Sequence, residues 1–210
     1  MKKLIIFDLD GTLLNTIADL AHSTNYALNK LGYPTHDVEK YNFMVGNGID
    51  KLFERALPEE EKSKENVLRV RKEFVPYYDI HNADDSRPYP GIPELLSYLQ
   101  DAGVQIAVAS NKYQAATQKL VDHYFPEIHF TAVFGQREGV KVKPDPIIVS
   151  DILEVAKVAK EEVLYVGDSG VDMQTAANAG VTACGVTWGF RPRTELEEFN
   201  PSYIADTAGD

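Results

Sequence analysis

Five short runs of consecutive apolar, largely β-branched residues set the terms for this chain: Lys3–Leu9, Val104–Ala109, Ala132–Phe134, Val163–Val166 and Val181–Val186. Apolar residues on successive rather than alternate positions predict strands covered on both faces, as in a parallel sheet. Helical periodicity fills the intervals Ile92–Ala102, Gln114–Tyr124, Pro146–Lys157 and Val171–Ala179, and Gly103 and Gly180 follow two of these where a C-terminal cap is expected. Strand and helix in alternation predict an α/β fold, a doubly wound, Rossmann-like parallel sheet with helices on both faces.

The stretch 16–88 breaks that rhythm. It offers helical segments, Ile17–Leu31, Ile49–Ala56 and Glu59–Tyr78, the last with Val67, Val70 and Phe74 at helical spacing, and no convincing strand. Residues 16–88 are therefore predicted to form a helical cap inserted into an α/β core of residues 1–15 and 89–210. Pro88, Pro90, Gly91 and Pro93 make a stiff return linker. A length of 210 residues suits one core with one inserted module.

The formal net charge of −11 repels nucleic acid and anionic lipid on average, so neither is an expected partner. It also requires any anion site to be made locally positive by a metal ion, lysine or backbone N–H groups. A single cysteine, Cys184, excludes an intrachain disulfide, and the apolar run around it predicts a buried thiol. The apolar run after Lys2-Lys3 stops at Asp8, short of the roughly 7–15 residues of a signal-peptide core. No stretch approaches the roughly 18 apolar residues of a membrane span. The expectation is a soluble, cytoplasmic protein, monomer or homodimer.

Polar residues that could carry chemistry follow the predicted strands. Phe7-Asp8-Leu9-Asp10-Gly11-Thr12 ends the first, at the carboxyl edge where open α/β sheets bind ligands. Two carboxylates so close repel unless a cation or a shared proton relieves them, and a hard divalent cation such as magnesium suits them. Gly11 lets the backbone approach an anion, and Thr12 adds a hydroxyl and an N–H. Gly167-Asp168-Ser169-Gly170-Val171-Asp172 leaves another strand; read alone, its acids fit helix capping as well. Ser110-Asn111-Lys112 fits a phosphate cradle and a helix cap equally. Lys143, before Pro144, suits a phosphate partner, although such a lysine alone reads as a solvated loop residue. Independent caps would not be expected to bring acids, hydroxyl, amide and lysine to one sheet edge.

In that order these motifs resemble the haloacid dehalogenase superfamily, and the resemblance spans nearly the whole chain. Within it the chain is most similar to bacterial phosphoglycolate phosphatases, through Ser110-Asn111-Lys112, Lys143-Pro144-Asp145-Pro146, Gly46-Asn47-Gly48 and Gly185-Val186-Thr187-Trp188-Gly189. The resemblance implies a magnesium-dependent phosphatase acting on a small phosphorylated metabolite, 2-phosphoglycolate above all. Asp8 is implied as nucleophile and Asp10 as general acid and then base. Magnesium is implied to bind the Asp8 carboxylate, the Asp10 backbone carbonyl and Asp168, with Asp172 supporting them. Thr12, Ser110, Asn111 and Lys143 are the phosphate-binding candidates, and Gly46, Asn47 and Gly48 form a candidate substrate loop in the cap. Lys143→Ala is expected to lower turnover and leave the fold intact. Asn15 stands where many relatives have Asp, and the chain ends Ala208-Gly209-Asp210 without the usual final apolar helix.

Other readings compete. A dehalogenase would attack carbon and would not need an acid at position 10. A β-phosphoglucomutase-like phosphomutase and a pyrophosphatase share the first chemical step. A binding module that had lost catalysis would be expected to lose Asp8 or Asp10, and both are present. A dinucleotide site lacks its Gly-x-Gly-x-x-Gly.

Overall fold

The computed structural model describes residues 2–210. The chain runs β1 (Leu4–Phe7), β2 (Leu14–Asn15), α1 (Ile17–Lys30), α2 (Ile49–Ala56), α3 (Lys64–His81), β3 (Arg87–Pro88), α4 (Ile92–Asp101), β4 (Gln105–Tyr113), α5 (Gln114–Tyr124), β5 (Ala132–Gln136), α6 (Ile147–Ala156), β6 (Val163–Gly167), α7 (Gly170–Ala179), β7 (Thr182–Val186), α8 (Arg193–Glu197) and β8 (Tyr203–Ala205). Six strands form one parallel sheet in the order β5-β4-β1-β6-β7-β8. The chain builds outward from β1 on one side and then from β6 on the other, so the winding reverses between β1 and β6. That reversal opens a crevice at their carboxyl ends.

The consecutive apolar residues of β1 follow from this layering. Phe7 packs with Ile92, Leu96 and Leu120 of α4 and α5, while Leu4 and Ile6 pack with Ile148, Ile152 and Ala176 of α6 and α7. Helices α1 to α3, between β2 and β3, have a separate core built on Leu20, Leu28, Leu52, Phe53, Val70, Phe74 and Tyr78. The Phe53 and Phe74 rings meet edge to face at 4.9 Å, and Phe74 and Tyr78 stack at 5.0 Å. The chain enters and leaves this layer through a two-stranded crossing, with Leu14 opposite Pro88 and Asn15 opposite Arg87.

Several local expectations are corrected. The Glu59–Tyr78 helix is two pieces, a 3₁₀ turn at Glu59–Glu61 and α3 beginning after Ser63, whose hydroxyl accepts from the Asn66 N–H at 3.1 Å. An N-cap serine starts a helix afresh, which the charged pattern alone did not reveal. β4 runs past Ala109 to Tyr113, so Ser110, Asn111 and Lys112 lie on a strand and cap no helix. Its pairing with β5 shifts register between Ala109 and Tyr113, and Ser110, Asn111 and Lys112 are all buried instead of alternating. The C-terminal segment lays β8 beside β7 as a sixth strand, and the pairing of β2 with β3 is equally unforeseen.

Candidate active site

The candidate residues meet at the carboxyl edge of β1, β4 and β6. Asp8 continues β1, its N–H bonded to the Val166 carbonyl at 2.9 Å. Its Oδ1 accepts from the Leu9 N–H at 2.7 Å and lies 2.9 Å from Lys143 Nζ, so both contacts fall on one oxygen. Lys143 Nζ also donates to Asp172 Oδ1 at 2.7 Å and to the Ala109 carbonyl at 2.9 Å. The lysine is only 2% exposed, which overturns its reading as a solvated loop residue. Burial works against its charge, yet Asp172 and Asp8 outweigh that and hold the ammonium well above its ordinary range. The expectation that Lys143→Ala spares the fold does not suit a cation that pins two buried acids.

Asp168 follows β6. Its Oδ2 accepts from the Phe190 N–H at 2.7 Å and its Oδ1 from the Thr12 hydroxyl at 3.3 Å. Two glycines make room for it: a Cβ on Gly11 would lie 2.3 Å from Asp168 Oδ2, and one on Gly189 would lie 2.2 Å from Asp168 Cβ. Gly11 also has φ +89°, a conformation L side chains rarely adopt. Thr12, predicted to bind phosphate, spends its hydroxyl on Asp168 and is fully buried. Asp172 both caps α7 and anchors Lys143. Its Oδ2 accepts from the Ser169 hydroxyl at 2.6 Å and N–H at 3.2 Å, and its Oδ1 from Lys143 and from Tyr165 at 3.3 Å.

Asp10 stands apart from the other three acids. Its Oδ1 accepts from the Thr16 hydroxyl at 2.6 Å and lies 3.2 Å from Lys112 Nζ. Lys112 in turn donates to the Tyr78 hydroxyl of α3 at 2.6 Å. Nothing in the sequence pairs Thr16, Lys112 and Tyr78, of which Lys112 alone belongs to a motif; only the fold brings them together. The helix-start reading of Ser110-Asn111 also gives way. Ser110 Oγ accepts from the Lys112 N–H at 3.1 Å. Asn111 accepts from the Lys143 N–H at 2.8 Å and donates to the Lys143 and Gly46 carbonyls at 3.1 and 3.0 Å. Asn111 is thus a clamp between the Lys143 segment and the loop 46–48. Arg191 holds the same loop from the core side, donating to the Val45 carbonyl at 3.0 Å. Asn47 accepts from Arg55 within the helical layer at 2.7 Å.

Asp8, Asp168 and Asp172 each offer an oxygen within 4.8 Å of the others, a geometry suited to a hard cation. Burial, with Asp172 and Asp10 adding to it against Lys143, pushes the Asp8 carboxyl up to about 7. Burial and the charges of Asp172 and Asp8 likewise raise Asp168 well above the usual carboxylate range. The cluster is short of positive charge: four acids face the two ammoniums of Lys112 and Lys143, a deficit that one divalent cation matches. Asp172 already accepts four hydrogen bonds over its two oxygens, against one on each oxygen of Asp168 and none on Asp8 Oδ2, which leaves Asp8 and Asp168 as the freer donors. Between core and helical layer lies a cavity of about 30 Å³ lined by Asp8, Asp10, Gly46, Gly48, Ser110 and Lys112.

The haloacid dehalogenase-like hydrolase family matches residues 5–186 of the chain. The phosphoglycolate phosphatase of Vibrio parahaemolyticus is 33% identical over 213 residues, covering 99% of this chain and 93% of the relative. That of Mesorhizobium japonicum is 33% identical over 205 residues, covering 97% and 90%. Among solved structures, a protein of Lactobacillus delbrueckii subsp. bulgaricus superposes with a TM-score of 0.93 at 34% identity, covering 100% of this chain and 96% of that one. A predicted phosphoglycolate phosphatase of Haemophilus somnus gives 0.91 at 30%, again covering 100% and 96%. Motif order, fold and near full-length similarity agree, and the chain belongs to the haloacid dehalogenase-like hydrolase family.

Proposed function

We propose that the protein is a cytoplasmic, magnesium-dependent phosphatase that hydrolyses 2-phosphoglycolate through a phosphorylated Asp8. The observation that carries this reading is the asymmetry of the Asp8 carboxylate. Both of its contacts fall on Oδ1, which leaves Oδ2 for attack, with Asp10 two residues on and not paired with Lys143. Asp8 Oδ2 attacks phosphorus, a P–O bond forms, and the ester P–O bond breaks. The glycolate oxygen takes its proton from Asp10. Asp10, now a carboxylate, takes a proton from water; the hydroxide displaces Asp8 from phosphorus and releases inorganic phosphate. Asp8, the Asp10 backbone carbonyl and Asp168 would hold the magnesium ion, whose charge offsets that of the phosphoryl oxygens. Lys143 orients Asp8 and sets a positive charge beside the phosphoryl group, Asp172 fixes Lys143, and Asn111 fixes the Lys143 backbone.

Residues 16–88 serve as a cap over a core of residues 1–15 and 89–210. The cap closes over the site, a reading supported by its insertion between β2 and β3, directly after the strand that carries Asp8. The test is a screen of 2-phosphoglycolate, pyrophosphate and hexose phosphates by kcat/KM, with magnesium and with excess chelator. The expected result is magnesium-dependent hydrolysis highest on 2-phosphoglycolate and absent in Asp8→Asn. Full activity in chelator, or in Asp8→Asn, would overturn it.

A further inference from the structure

Two lysines are buried at the floor of the cleft, and their donors are used differently. Lys143 directs its three N–H bonds at three acceptors, Asp8, Asp172 and the Ala109 carbonyl. Lys112, 5% exposed, has two partners among the described residues, the Tyr78 hydroxyl at 2.6 Å and Asp10 Oδ1 at 3.2 Å. An ammonium carries three donors, so one of Lys112's has no partner among the described residues, and Lys112 lines the cavity. A buried donor with no acceptor is costly unless a ligand supplies one.

Its position says which part of a ligand that would be. Lys143 stands on the phosphoryl side, beside the nucleophile. Lys112 stands beside Asp10, the residue that protonates the departing oxygen, and therefore on the leaving-group side. We propose that Lys112 is the specificity-determining residue of this site, binding the carboxylate of a short phosphorylated acid. The inference rests on the phosphatase reading above and deepens it. In 2-phosphoglycolate a single methylene separates the ester oxygen from the carboxylate, so a cation 3.2 Å from the acid that serves that oxygen is within reach of the tail. Tyr78 belongs to α3, so the lysine is fully set only with the helical layer docked.

The experiment compares kcat/KM for 2-phosphoglycolate and for propyl phosphate, whose tail is similar in size and uncharged, with magnesium present. Wild type is expected to prefer the acid by at least tenfold, the worth of about one charge-assisted hydrogen bond. In Lys112→Met the acid should lose roughly 10- to 100-fold more than propyl phosphate, mainly through KM, and Lys112→Arg should keep part of the preference. Equal losses on both substrates would overturn the proposal and make Lys112 a partner of Asp10 alone. A wild type that does not favour the acid would overturn it without any variant, so a poorly folding Lys112→Met leaves it decidable. Hydrolysis of neither ester by wild type would instead defeat the phosphatase reading itself.

Discussion

Replacing Lys143 by methionine should destabilise the protein severely, and a second substitution should recover part of the loss. The side chain is fully enclosed and makes three charged or charge-assisted contacts, at 2.7 Å to Asp172, 2.9 Å to Asp8 and 2.9 Å to the Ala109 carbonyl. Methionine preserves the volume, so the cavity contribution is small and the cost is electrostatic. Removing one partner of a buried pair leaves the other charge uncompensated, at about 3–5 kcal/mol. Asp172 carries most of it, because it is 0% exposed and Asp8 can recruit a cation or a proton. At about 2–4 °C per kcal/mol for a chain of this length, the melting midpoint should fall by roughly 6–20 °C. Asp172→Asn alone should also destabilise, yet added to Lys143→Met it removes the stranded charge. The double variant should therefore be more stable than the sum of the singles by about 0.5–3 kcal/mol. Urea denaturation followed by circular dichroism, in chelator so that metal binding does not enter, measures all four proteins. Additive costs, or a Lys143→Met protein within about 1 kcal/mol of wild type, would refute the reasoning.

Gly189→Ala puts a methyl group 2.2 Å from Asp168 Cβ and should displace that carboxylate, raising the magnesium needed for half-maximal activity about 10- to 100-fold; an unchanged magnesium titration would count against the role of Asp168. Phe74→Ala empties the centre of the helical layer and should cost about 3–5 kcal/mol in denaturant titration, with a loss below about 1 kcal/mol refuting the packing described here. Burial pushes the Cys184 thiol up to about 11, so at pH 8 only about 0.1% is thiolate. A colorimetric thiol reagent should titrate it in guanidinium and scarcely react with native protein; rapid native labelling would place the thiol outside the sheet.

The strands were readable because burial on both faces writes itself as consecutive apolar residues: Leu4, Ile6 and Phe7 are buried and Ile5 is partly so. Asp8, Asp10 and Asp168 stood out because strand ends project polar residues to one edge; Lys143, in the loop between β5 and α6, stood out only alongside the other motifs. Lys112 entered only as the last residue of Ser110-Asn111-Lys112; its partners lie 34 and 102 positions away at Tyr78 and Asp10, so its place beside Asp10 is not written locally. Ser110-Asn111-Lys112 read as a helix start because polar residues at a strand's end mimic one; the register shift against β5 that buries all three is a property of pairing. Two- and three-residue strands such as β2 and β8 leave no periodicity to detect.

The crossing of β2 and β3 ties mechanics to chemistry. Leu14 pairs with Pro88, the Gly11 N–H donates to the Leu14 carbonyl at 2.8 Å, and Thr16, the residue that grips Asp10, lies just before α1. If the helices pivot on this strip, it is also the mount of the proposed proton donor. Swinging them outward would withdraw Tyr78 from Lys112 and twist the segment that carries Asp10, so that admitting bulk solvent and disarming the acid would become one motion. An exposed site would then be an idle one, and the joint that admits substrate would also restrain stray hydrolysis.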